Sequence, residues 1–495
     1  MFEKVLVANR GEIAVRVIRA LRELGVRSVA VFSDADRDSI AVRMADEAVY
    51  LGASPSSDSY LRGEKIIAAA LRMDAQAIHP GYGFLSENAG FADRCASAGI
   101  KFIGPPADAI RKLGSKTSAR KLAIAAGAPV VPGTEDAVID LSHARLIAHE
   151  IGFPVLIKAA AGGGGKGMRR VNSEAALEAA LRDAASEAER SFQSSEVYIE
   201  KVVVEPRHIE IQLIGDEHGN LVHLGERECT IQRRHQKVIE ECPSPLVAAH
   251  PEMRAAMGAA ALKVARAAGY CNAGTAEFLV DAERNFYFLE MNTRLQVEHP
   301  VTELVTGLDL VHLQLCIASG EKLPFTQEDV TWRGAAIEAR IYAEDPANDY
   351  MPSPGHITQL QFPSGPGIRL DSGIHEGCDV PMEYDPLLAK LSVWAGSRDM
   401  AIARMQRALD ECAVVGIRTN IEFFRHLLRD THFRDGQFHT GFLETFQWKA
   451  TSPSDEELLA AAIVANQFQK RQSRPVPDTA AQSRWKTDGW NRWMR

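Results

Sequence analysis

Two short apolar runs that each carry a glutamate constrain the fold of this 495-residue chain most strongly. Residues 275–281 and 286–292 have the composition of strands, and the four residues between them suit a hairpin loop. With that loop, Glu277 lies directly opposite Glu290, and both side chains point to one face. The pattern predicts a β-hairpin that presents two facing carboxylates.

Two carboxylates paired across strands among apolar neighbours repel each other, so a cation should lie between them. Magnesium is the expected ion, because it binds one or two carboxylates and fills its other positions with water and substrate phosphates. Asn292 follows two residues after Glu290, falls on the same face and can add an amide oxygen. The sequence therefore predicts a metal site at Glu277, Glu290 and Asn292, with two solvated surface glutamates as the alternative.

The segment RLQVEHP at 294–300 follows the hairpin directly. If this segment stays extended, Arg294, Gln296 and Glu298 share one side. A cation, an amide and a carboxylate in that order can bind a small oxyacid and remove its proton. The alternative is an ordinary salt-bridged strand.

A second group of cations lies upstream, in the segment CTIQRRHQKVIEE. Arg233, His235 and Lys237 have the same parity, so on one extended strand they form a positive strip. Gln232 falls on the other face. The strip predicts an anion-binding surface, with a solvated basic strand as the alternative.

The densest glycine run lies in PVLIKAAAGGGGKGMRRV, at 154–171. Gly162, Gly164 and Gly167 fit the spacing of a dinucleotide fingerprint, but the residues that follow read as a strand instead of a helix. A Walker A loop is excluded because Lys166 is followed by glycine. The pattern predicts a hairpin with a flexible tip whose backbone N–H groups and lysine cover a triphosphate.

Two further lysines accompany this flap. Lys158 ends the strand before the glycines in an apolar run, where its charge requires an anion or a carboxylate. Lys116 precedes the same region and is a second candidate for a phosphate contact. A plain flexible loop is the alternative for the glycine run.

The order of elements predicts an α/β protein in four parts. Residues 1–113 alternate strands and helices and read as an open parallel α/β domain. Residues 114–329 form a central α/β unit that includes a small lid at 130–203. Strands, turns and two helical patterns at 330–447 predict an α+β domain, and 448–495 form a separate tail.

The tail combines a helical pattern with an aromatic, basic end. A capping box at Ser454 predicts one further helix. Trp485, Trp490 and Trp493 fall within the last 11 residues among basic side chains. Such an end either docks on a partner or packs on its own domain.

Composition limits the classes of function. Sixty-five acidic and 56 basic residues give a net charge of −9, which argues against sequence-independent binding of nucleic acid or of an anionic membrane surface. No apolar run approaches the length of a membrane span or of a signal peptide's apolar region, which predicts a cytoplasmic protein. The seven cysteines are scattered singly, without zinc-site spacing.

Seven segments together resemble the biotin carboxylases of the ATP-grasp superfamily, and the resemblance covers residues 1–447. The fold expected from the family is an N-terminal α/β domain, an ATP-grasp centre with a mobile lid, and a C-terminal domain. The segments are VANRGEIA (7–14), HPGYGFLSEN (79–88), GGGGKGM (162–168), EPRHIEIQ (205–212), ERECTIQRRHQKVIEE (226–241), EMNTRLQVEH (290–299) and EARIYAEDP (338–346).

The resemblance implies a two-step ligase reaction. ATP phosphorylates bicarbonate to carboxyphosphate, and CO₂ derived from it is passed to N1′ of biotin. The chain contains no Met-Lys-Met biotin attachment site, so the biotin is expected on a separate carrier protein. The implied cofactors are ATP and Mg²⁺, with Mn²⁺ as the alternative ion. The implied partners are a biotin carboxyl carrier protein, a carboxyltransferase subunit and a second copy of the chain.

The resemblance also assigns roles to individual residues. Those implied to bind ATP are Lys116, Lys158, Gly163, Gly164, Gly165, Lys166, Gly167, Met168, Glu200, Lys201, Val203, His208, Gln232 and His235. Those implied to bind bicarbonate are Lys237, Arg294, Gln296, Val297 and Glu298, with Glu298 as the base. Those implied to bind metal are Glu277, Glu290 and Asn292. Those implied to contact biotin are Tyr82 and Arg340, with Arg340 steadying the biotin enolate.

Two rival interpretations remain at this stage. One is an ATP-grasp ligase that activates a different carboxylate, such as an amino acid or a purine precursor. The other is a nucleotide-binding scaffold subunit without turnover. The motifs leave acetyl-CoA, another acyl-CoA and pyruvate as alternative final acceptors of the carboxyl group.

Overall fold

The computed structural model describes residues 1–134, 136–138, 140–159, 168–192, 194–234, 236–448, 459 and 462–463. The chain divides into two units, Met1–Trp448 and Lys449–Arg495. Within the second unit the three described residues are helical. The three tryptophans of the tail and most of its predicted helix lie outside the described residues.

The N-terminal part is an open parallel sheet covered by helices, as predicted. The chain can turn from β1 into α1 because Gly11 has φ +66°, a left-handed conformation that suits glycine. The strands have the spatial order β3-β2-β1-β4-β5. Its elements are β1 (Lys4–Val7), α1 (Gly11–Glu23), β2 (Arg27–Ser33), α2 (Ile40–Met44), β3 (Glu47–Gly52), α3 (Gly63–Arg72), β4 (Ala77–His79), α4 (Ala89–Ser97), β5 (Lys101–Phe102) and α5 (Ala107–Gly114).

The next region contains a small antiparallel sheet with its own apolar core. Val155 pairs with Val171, so the two strands that flank the glycine run form the predicted hairpin. Alternate residues such as Val155 and Ile157 pack with Ile199 into a local cluster. The elements are α6 (Lys116–Ala125), α7 (Leu141–Ile151), β6 (Val155–Ala159), β7 (Arg169–Val171), α8 (Leu177–Phe192) and β8 (Val197–Lys201).

The central region supplies most of the strands that carry the site. Its elements are β9 (Arg207–Gly215), β10 (Leu221–Glu228), β11 (Gln232–Arg233), β12 (Gln236–Lys237), β13 (Ile239–Cys242), α9 (Pro245–Ala249), α10 (Glu252–Ala268), β14 (Asn272–Val280), β15 (Phe286–Asn292), α11 (His299–Thr306) and α12 (Leu310–Ala318).

The C-terminal region combines long strands with packed helices. Short strands on either side of the buried Ile357 pair with different partners. The elements are β16 (Ala335–Tyr342), β17 (Glu344–Asp345), β18 (Met351–Pro352), β19 (Gly355–His356), β20 (Gln359–Gln361), β21 (Ile368–Ser372), β22 (Asp379–Val380), β23 (Leu387–Ala395), α13 (Arg398–Glu411), β24 (Ala413–Val415), α14 (Ile421–Leu427), α15 (Thr431–Arg434) and α16 (Phe442–Thr445).

One antiparallel sheet runs through both of the last two regions, in the order β15-β14-β9-β10-β13-β16-β23-β21. Strand β13 pairs with β16, so the predicted boundary at residue 330 separates strands of a single sheet. Side chains from the central and C-terminal regions can therefore meet on one face of this sheet.

No single helix within the described ranges is long and apolar enough to cross a membrane. Helices α11 and α12 meet the length and composition criteria only when taken together, across a bend of 95°.

Candidate active site

Glu277 on β14 lies directly opposite Glu290 on β15, as predicted. The register that produces this pair differs from the predicted one. Val280 pairs with Phe286, so the loop has five residues instead of four, and a shift between Glu277 and Phe278 restores the glutamate pair. The two carboxylates thus face each other because of a β-bulge, which redirects side chains locally.

The ammonium group of Lys237 lies among three buried carboxylates. Its Nζ is 2.7 Å from Oε1 of Glu277 and 2.7 Å from Oε1 of Glu298, and it also donates to Glu210. Burial alone would lower the pKa of Lys237, but these three carboxylates raise it well above its usual value. Lys237 is therefore a fixed positive charge between the predicted metal residues and the predicted base.

The carboxylate of Glu277 has a second partner in His208, whose Nε2 lies 3.2 Å from Oε2. Burial would raise the pKa of Glu277, but the charge of Lys237 and the contact with His208 hold it well below its ordinary value. Glu277 is therefore ionised at neutral pH, as a metal ligand must be. His208, which the resemblance implied as a ribose contact, lies against this metal candidate.

The predicted positive strip of Arg233, His235 and Lys237 is wrong. The chain reverses at Arg234, which has φ +49°, so β11 and β12 form a tight hairpin instead of one extended strand. Arg233 points away and donates to Glu344 across 2.6 Å. Of Arg233 and Lys237, only Lys237 reaches the cluster of carboxylates. His235 lies outside the described residues.

The segment 294–298 is also not extended, because Glu298 is already the N-cap residue of α11. The turn nevertheless brings the predicted residues together. The guanidinium of Arg294 donates to Oε1 of Gln296 across 2.9 Å and to Oδ1 of Asn292 across 3.1 Å. Its Nε donates to Glu87 across 2.9 Å. Arg294 thus connects Asn292 of the predicted metal set with Gln296 of the predicted bicarbonate set.

Glu298 is fully buried and its two oxygens bind different cations. Oε1 accepts from Lys237, and Oε2 accepts from Nη2 of Arg340 across 2.9 Å. Burial would raise the pKa of Glu298, but Lys237, Arg340 and Arg227 together lower it below the ordinary range. The predicted base is therefore deprotonated at neutral pH.

Arg340 is held from its other side by Glu240, whose Oε1 lies 2.6 Å from Nε. Burial would lower the pKa of Arg340, but Glu240 and Glu298 raise it well above its usual value. Burial raises the pKa of Glu240 itself to about 8, although Arg340 opposes the shift. Arg340 is thus a guanidinium of fixed direction.

A cavity of about 470 Å³ opens beside this cluster. Its lining includes Tyr82 and Arg340, the predicted biotin residues, together with Arg294 and Val297 from the predicted bicarbonate set. Glu12 at the start of α1 also lines the cavity. The structure therefore brings the two predicted sets together at one cavity.

Of the residues predicted to bind the nucleotide, Lys158 lies on β6, Lys201 on β8 and Lys116 at the start of α6. The buried Lys158 meets the carboxylate that the sequence required, because its Nζ donates to Oε2 of Glu200. Lys116 lies 3.6 Å from Glu290, which connects this group to the metal candidates. Lys201 donates its backbone N–H to the carbonyl of Pro132.

Of the remaining residues predicted to bind the nucleotide, the structure describes some and leaves others outside the described residues. Gln232 uses its amide to bind the carbonyl of Cys229, across 2.9 Å. Met168 and Val203 are half-buried. The phosphate flap, Gly163, Gly164, Gly165, Lys166 and Gly167, lies outside the described residues.

The sequence analysis missed four buried charged residues around the site. Glu210 and Arg227 bind each other beneath Lys237, Glu240 holds Arg340, and Lys390 on β23 reaches Val297. Glu210 and Lys390 each interrupt an apolar strand, which is the same signal that identified Lys158.

Comparisons with known proteins agree with this geometry. Three family descriptions match: biotin carboxylase N-terminal domain over residues 1–110, carbamoyl-phosphate synthase L chain ATP-binding domain over 115–326, and biotin carboxylase C-terminal domain over 338–445. Biotin carboxylase 1 of Bacillus subtilis is 51% identical over 90% of this chain and 99% of its own length.

Two further relatives widen the comparison. The mitochondrial methylcrotonoyl-CoA carboxylase subunit alpha of Mus musculus is 52% identical over 89% of this chain, which spans 61% of that longer protein. The biotin carboxylase domain of Hydrogenobacter thermophilus 2-oxoglutarate carboxylase was solved as a dimer with MgADP, ADP and bicarbonate. It superposes with a TM-score of 0.87 and 46% identity, covering 91% of this chain and 100% of that one.

The fold and the site together define an ATP-dependent ligase of the ATP-grasp class. The chain belongs to the biotin carboxylase family. ATP-dependent carboxylation of biotin is the reaction of this family and of this chain.

Proposed function

We propose that the cavity and the carboxylate cluster around Lys237 carry out both steps of biotin carboxylation. One observation carries the proposal: Glu298 binds Lys237 through one oxygen and Arg340 through the other. Lys237 also binds Glu277 of the metal pair, and Arg340 lines the cavity. A single buried carboxylate thus connects the phosphate chemistry to the biotin chemistry.

In the first step Glu298 accepts the proton of bicarbonate. An oxygen of the resulting dianion attacks the γ-phosphorus of ATP, and ADP leaves. Bicarbonate is a poor nucleophile until this proton is lost, so a carboxylate beside cationic donors is what the step requires. Lys237, Arg294, Gln296 and the backbone of Val297 hold the anion. The deprotonated state of Glu298 fits it to accept a proton.

In the second step carboxyphosphate splits into CO₂ and phosphate. The phosphate takes the proton of N1′ of biotin, and N1′ attacks CO₂ to give carboxybiotin and hydrogen phosphate. The ureido nitrogen is unreactive until negative charge can develop on the ureido oxygen. Arg340, whose direction is set by Glu240 and Glu298, stabilises that charge in the way an oxyanion hole does. Tyr82 contacts the biotin ring from the wall of the same cavity.

The residues around the hairpin fit a divalent cation. Facing carboxylates at Glu277 and Glu290, with an amide oxygen at Asn292, are the hard oxygen donors that Mg²⁺ prefers, and Mn²⁺ accepts the same set. When bound, the ion neutralises charge on the ATP phosphates. Lys116 and Lys158, with the glycine flap, bind phosphate oxygens, and Glu200, Lys201 and Val203 face the adenine.

The chain works with other polypeptides in this proposal. Biotin is presented by a carrier protein, and a carboxyltransferase subunit passes the carboxyl group to the final acceptor. The parts of the chain are 1–113, the ATP-grasp centre 114–329 with lid 130–203, the C-terminal domain 330–447 and the tail 448–495. The dimer of the Hydrogenobacter domain supports a homodimer.

We also assign the protein to the cytoplasm. All seven cysteines are free thiols in the structure, and thiols persist in a reducing compartment.

Release of phosphate from ATP, measured with and without bicarbonate and free biotin, tests the function. Stimulated release should require both additions, and carboxybiotin should form. A ligase for another carboxylate would respond to neither addition, and a scaffold subunit would bind ATP without releasing phosphate. Either result would contradict the proposal.

A further inference from the structure

Lys390 is a fully buried lysine in the middle of β23, one strand away from Arg340. In the sheet register it lies between Arg340 on β16 and Asp371 on β21. The three residues therefore form one row across three strands, with two cations side by side. Burying a lysine is costly unless its charge and its donors are satisfied.

The donors of Lys390 are directed at two different regions. Nζ donates to the backbone carbonyl of Val297 across 2.8 Å. The same Nζ lies 3.3 Å from Oε2 of Glu12 on α1 and 3.8 Å from Oδ2 of Asp371. The two carboxylates supply the countercharge, so the ammonium group is free to bind a neutral carbonyl.

The neighbouring carbonyl of the same turn is bound in a comparable way. Nδ1 of the buried His299 lies 2.8 Å from the carbonyl of Gln296. A carbonyl can only accept, so Nδ1 carries the proton and donates. Burial and the nearby cations lower the pKa of His299 well below its usual value, which makes the ring neutral. Two successive carbonyls, those of Gln296 and Val297, are thus fixed by buried side chains.

The carbonyl of Val297 belongs to the peptide bond that leads into Glu298. Fixing this carbonyl fixes the plane of that peptide and with it the direction in which the side chain of Glu298 leaves the backbone. Arg340 and Lys390 are neighbours on adjacent strands. Arg340 holds the carboxylate of Glu298, and Lys390 holds the backbone carbonyl of Val297, the residue before Glu298. Apolar packing alone would be satisfied by methionine at position 390, whereas the carbonyl requires a donor.

We propose that Lys390 is a positioning residue that orients the base Glu298 and the bicarbonate-binding turn through its hydrogen bond to the carbonyl of Val297. The inference rests on the proposed role of Glu298. The ammonium group of Lys390 is directed at the carbonyl of Val297, so Lys390 acts through the turn. A misplacement of about 1 Å at a reacting group costs on the order of a hundredfold in rate.

The test compares Lys390→Met with Asp371→Asn in the full-length enzyme. Asp371 contacts Lys390 from the side away from Arg340, and it lies outside the proposed binding residues. Steady-state ATP cleavage is measured while bicarbonate and ATP are varied separately in the presence of free biotin. For Lys390→Met, kcat/KM for bicarbonate should fall roughly tenfold to a hundredfold while KM for ATP stays within about twofold. Asp371→Asn should remain within about threefold of wild type in both parameters.

A purely structural role would lower the amount of folded enzyme without this split between the two substrates. If Lys390→Met does not fold, the double variant Lys390→Met/Glu12→Gln removes the donor together with the charge of Glu12, which forms an ion pair with Lys390, whereas Asp371 keeps Arg369 as its partner; the same split is expected. Wild-type kinetics for Lys390→Met or for the double variant, or equal losses for ATP and bicarbonate, would overturn the inference.

Glu298→Gln, measured in parallel, distinguishes failure of the proposed role of Lys390 from failure of the proposed base. An inactive Glu298→Gln with an unaffected Lys390→Met would refute only the role of Lys390. An active Glu298→Gln would refute the proposed base, and the role of Lys390 with it.

Discussion

Arg340 and Glu298 form a buried ion pair, with Nη2 of the arginine 2.9 Å from Oε2 of the glutamate. The cation proposed to face biotin and the base proposed to serve bicarbonate therefore fix each other's position. In this proposal the two halves of the reaction are coupled by direct contact, and a change at Arg340 should affect both halves to different degrees.

Arg340→Ala should lower the rate of biotin carboxylation by on the order of 10²-fold or more, as loss of an oxyanion donor does. The loss should be smaller for the unstimulated ATP cleavage that is measured without biotin, because Lys237 still holds Glu298. Arg340→Lys, which keeps the charge without the forked geometry, is the matched comparison. A rate of carboxylation within threefold of wild type would remove Arg340 from the mechanism.

Glu290→Gln should raise the Mg²⁺ concentration needed for half-maximal ATP cleavage by roughly tenfold or more, since one charged ligand is lost. Glu283→Gln, in the exposed loop of the same hairpin, is the control and should leave the Mg²⁺ requirement unchanged. Identical Mg²⁺ titrations for the two variants would contradict the metal assignment.

Glu338 should make folding stability depend on pH. It lies opposite Glu240 across β16 and β13, and each of the two has one carboxylate oxygen without a hydrogen-bond partner among the described residues. Burial raises the pKa of Glu338 to about 7, with Lys390 opposing the shift. The folded state therefore keeps a proton that the unfolded chain loses at a lower pH.

The stability that this proton supplies is complete below about pH 4.5 and is lost as the pH rises through about 7. Glu338→Gln keeps a neutral side chain, so its stability relative to wild type should increase between pH 5 and pH 8, by up to roughly 3 kcal/mol. Urea unfolding at the two pH values measures the difference. The control is Glu328→Gln, at an exposed position. It should change the midpoint of urea unfolding by the same amount at pH 5 and at pH 8.

The hairpin of β14 and β15 shows how far local sequence can specify a site. The predicted pairing of Glu277 with Glu290 is confirmed, although the loop length was wrong by one residue. Side-chain alternation predicted which carboxylates share a face, but a bulge depends on packing against the neighbouring strand, and the sequence of the hairpin does not contain that information.

Residues 233–237 and 294–298 show where such reasoning fails. Both interpretations assumed an extended backbone, on which the alternating charged residues share a side, but both segments contain turns. In the first segment a left-handed Arg234 reverses the chain, and the second leads into α11 with Glu298 as the N-cap residue. Alternate residues share one side of the chain only while the backbone stays extended.

Glu240 and Lys390 were missed because their partners are distant in the sequence. Lys390 binds a carbonyl 93 positions away, and Arg340 binds a carboxylate 100 positions away. A charged residue in an apolar strand indicates that a partner exists, as it did for Lys158, but only the fold identifies the partner.

The most direct test of the account is bicarbonate-dependent phosphate release by Glu298→Gln, with ATP binding measured on the same protein. The substitution keeps the shape of the side chain but leaves an amide that cannot accept the proton. The account predicts that phosphate release falls by on the order of 10²-fold to 10⁴-fold while affinity for ATP is retained within a few fold. Full bicarbonate-dependent turnover by this variant would contradict the account and assign the base to another residue.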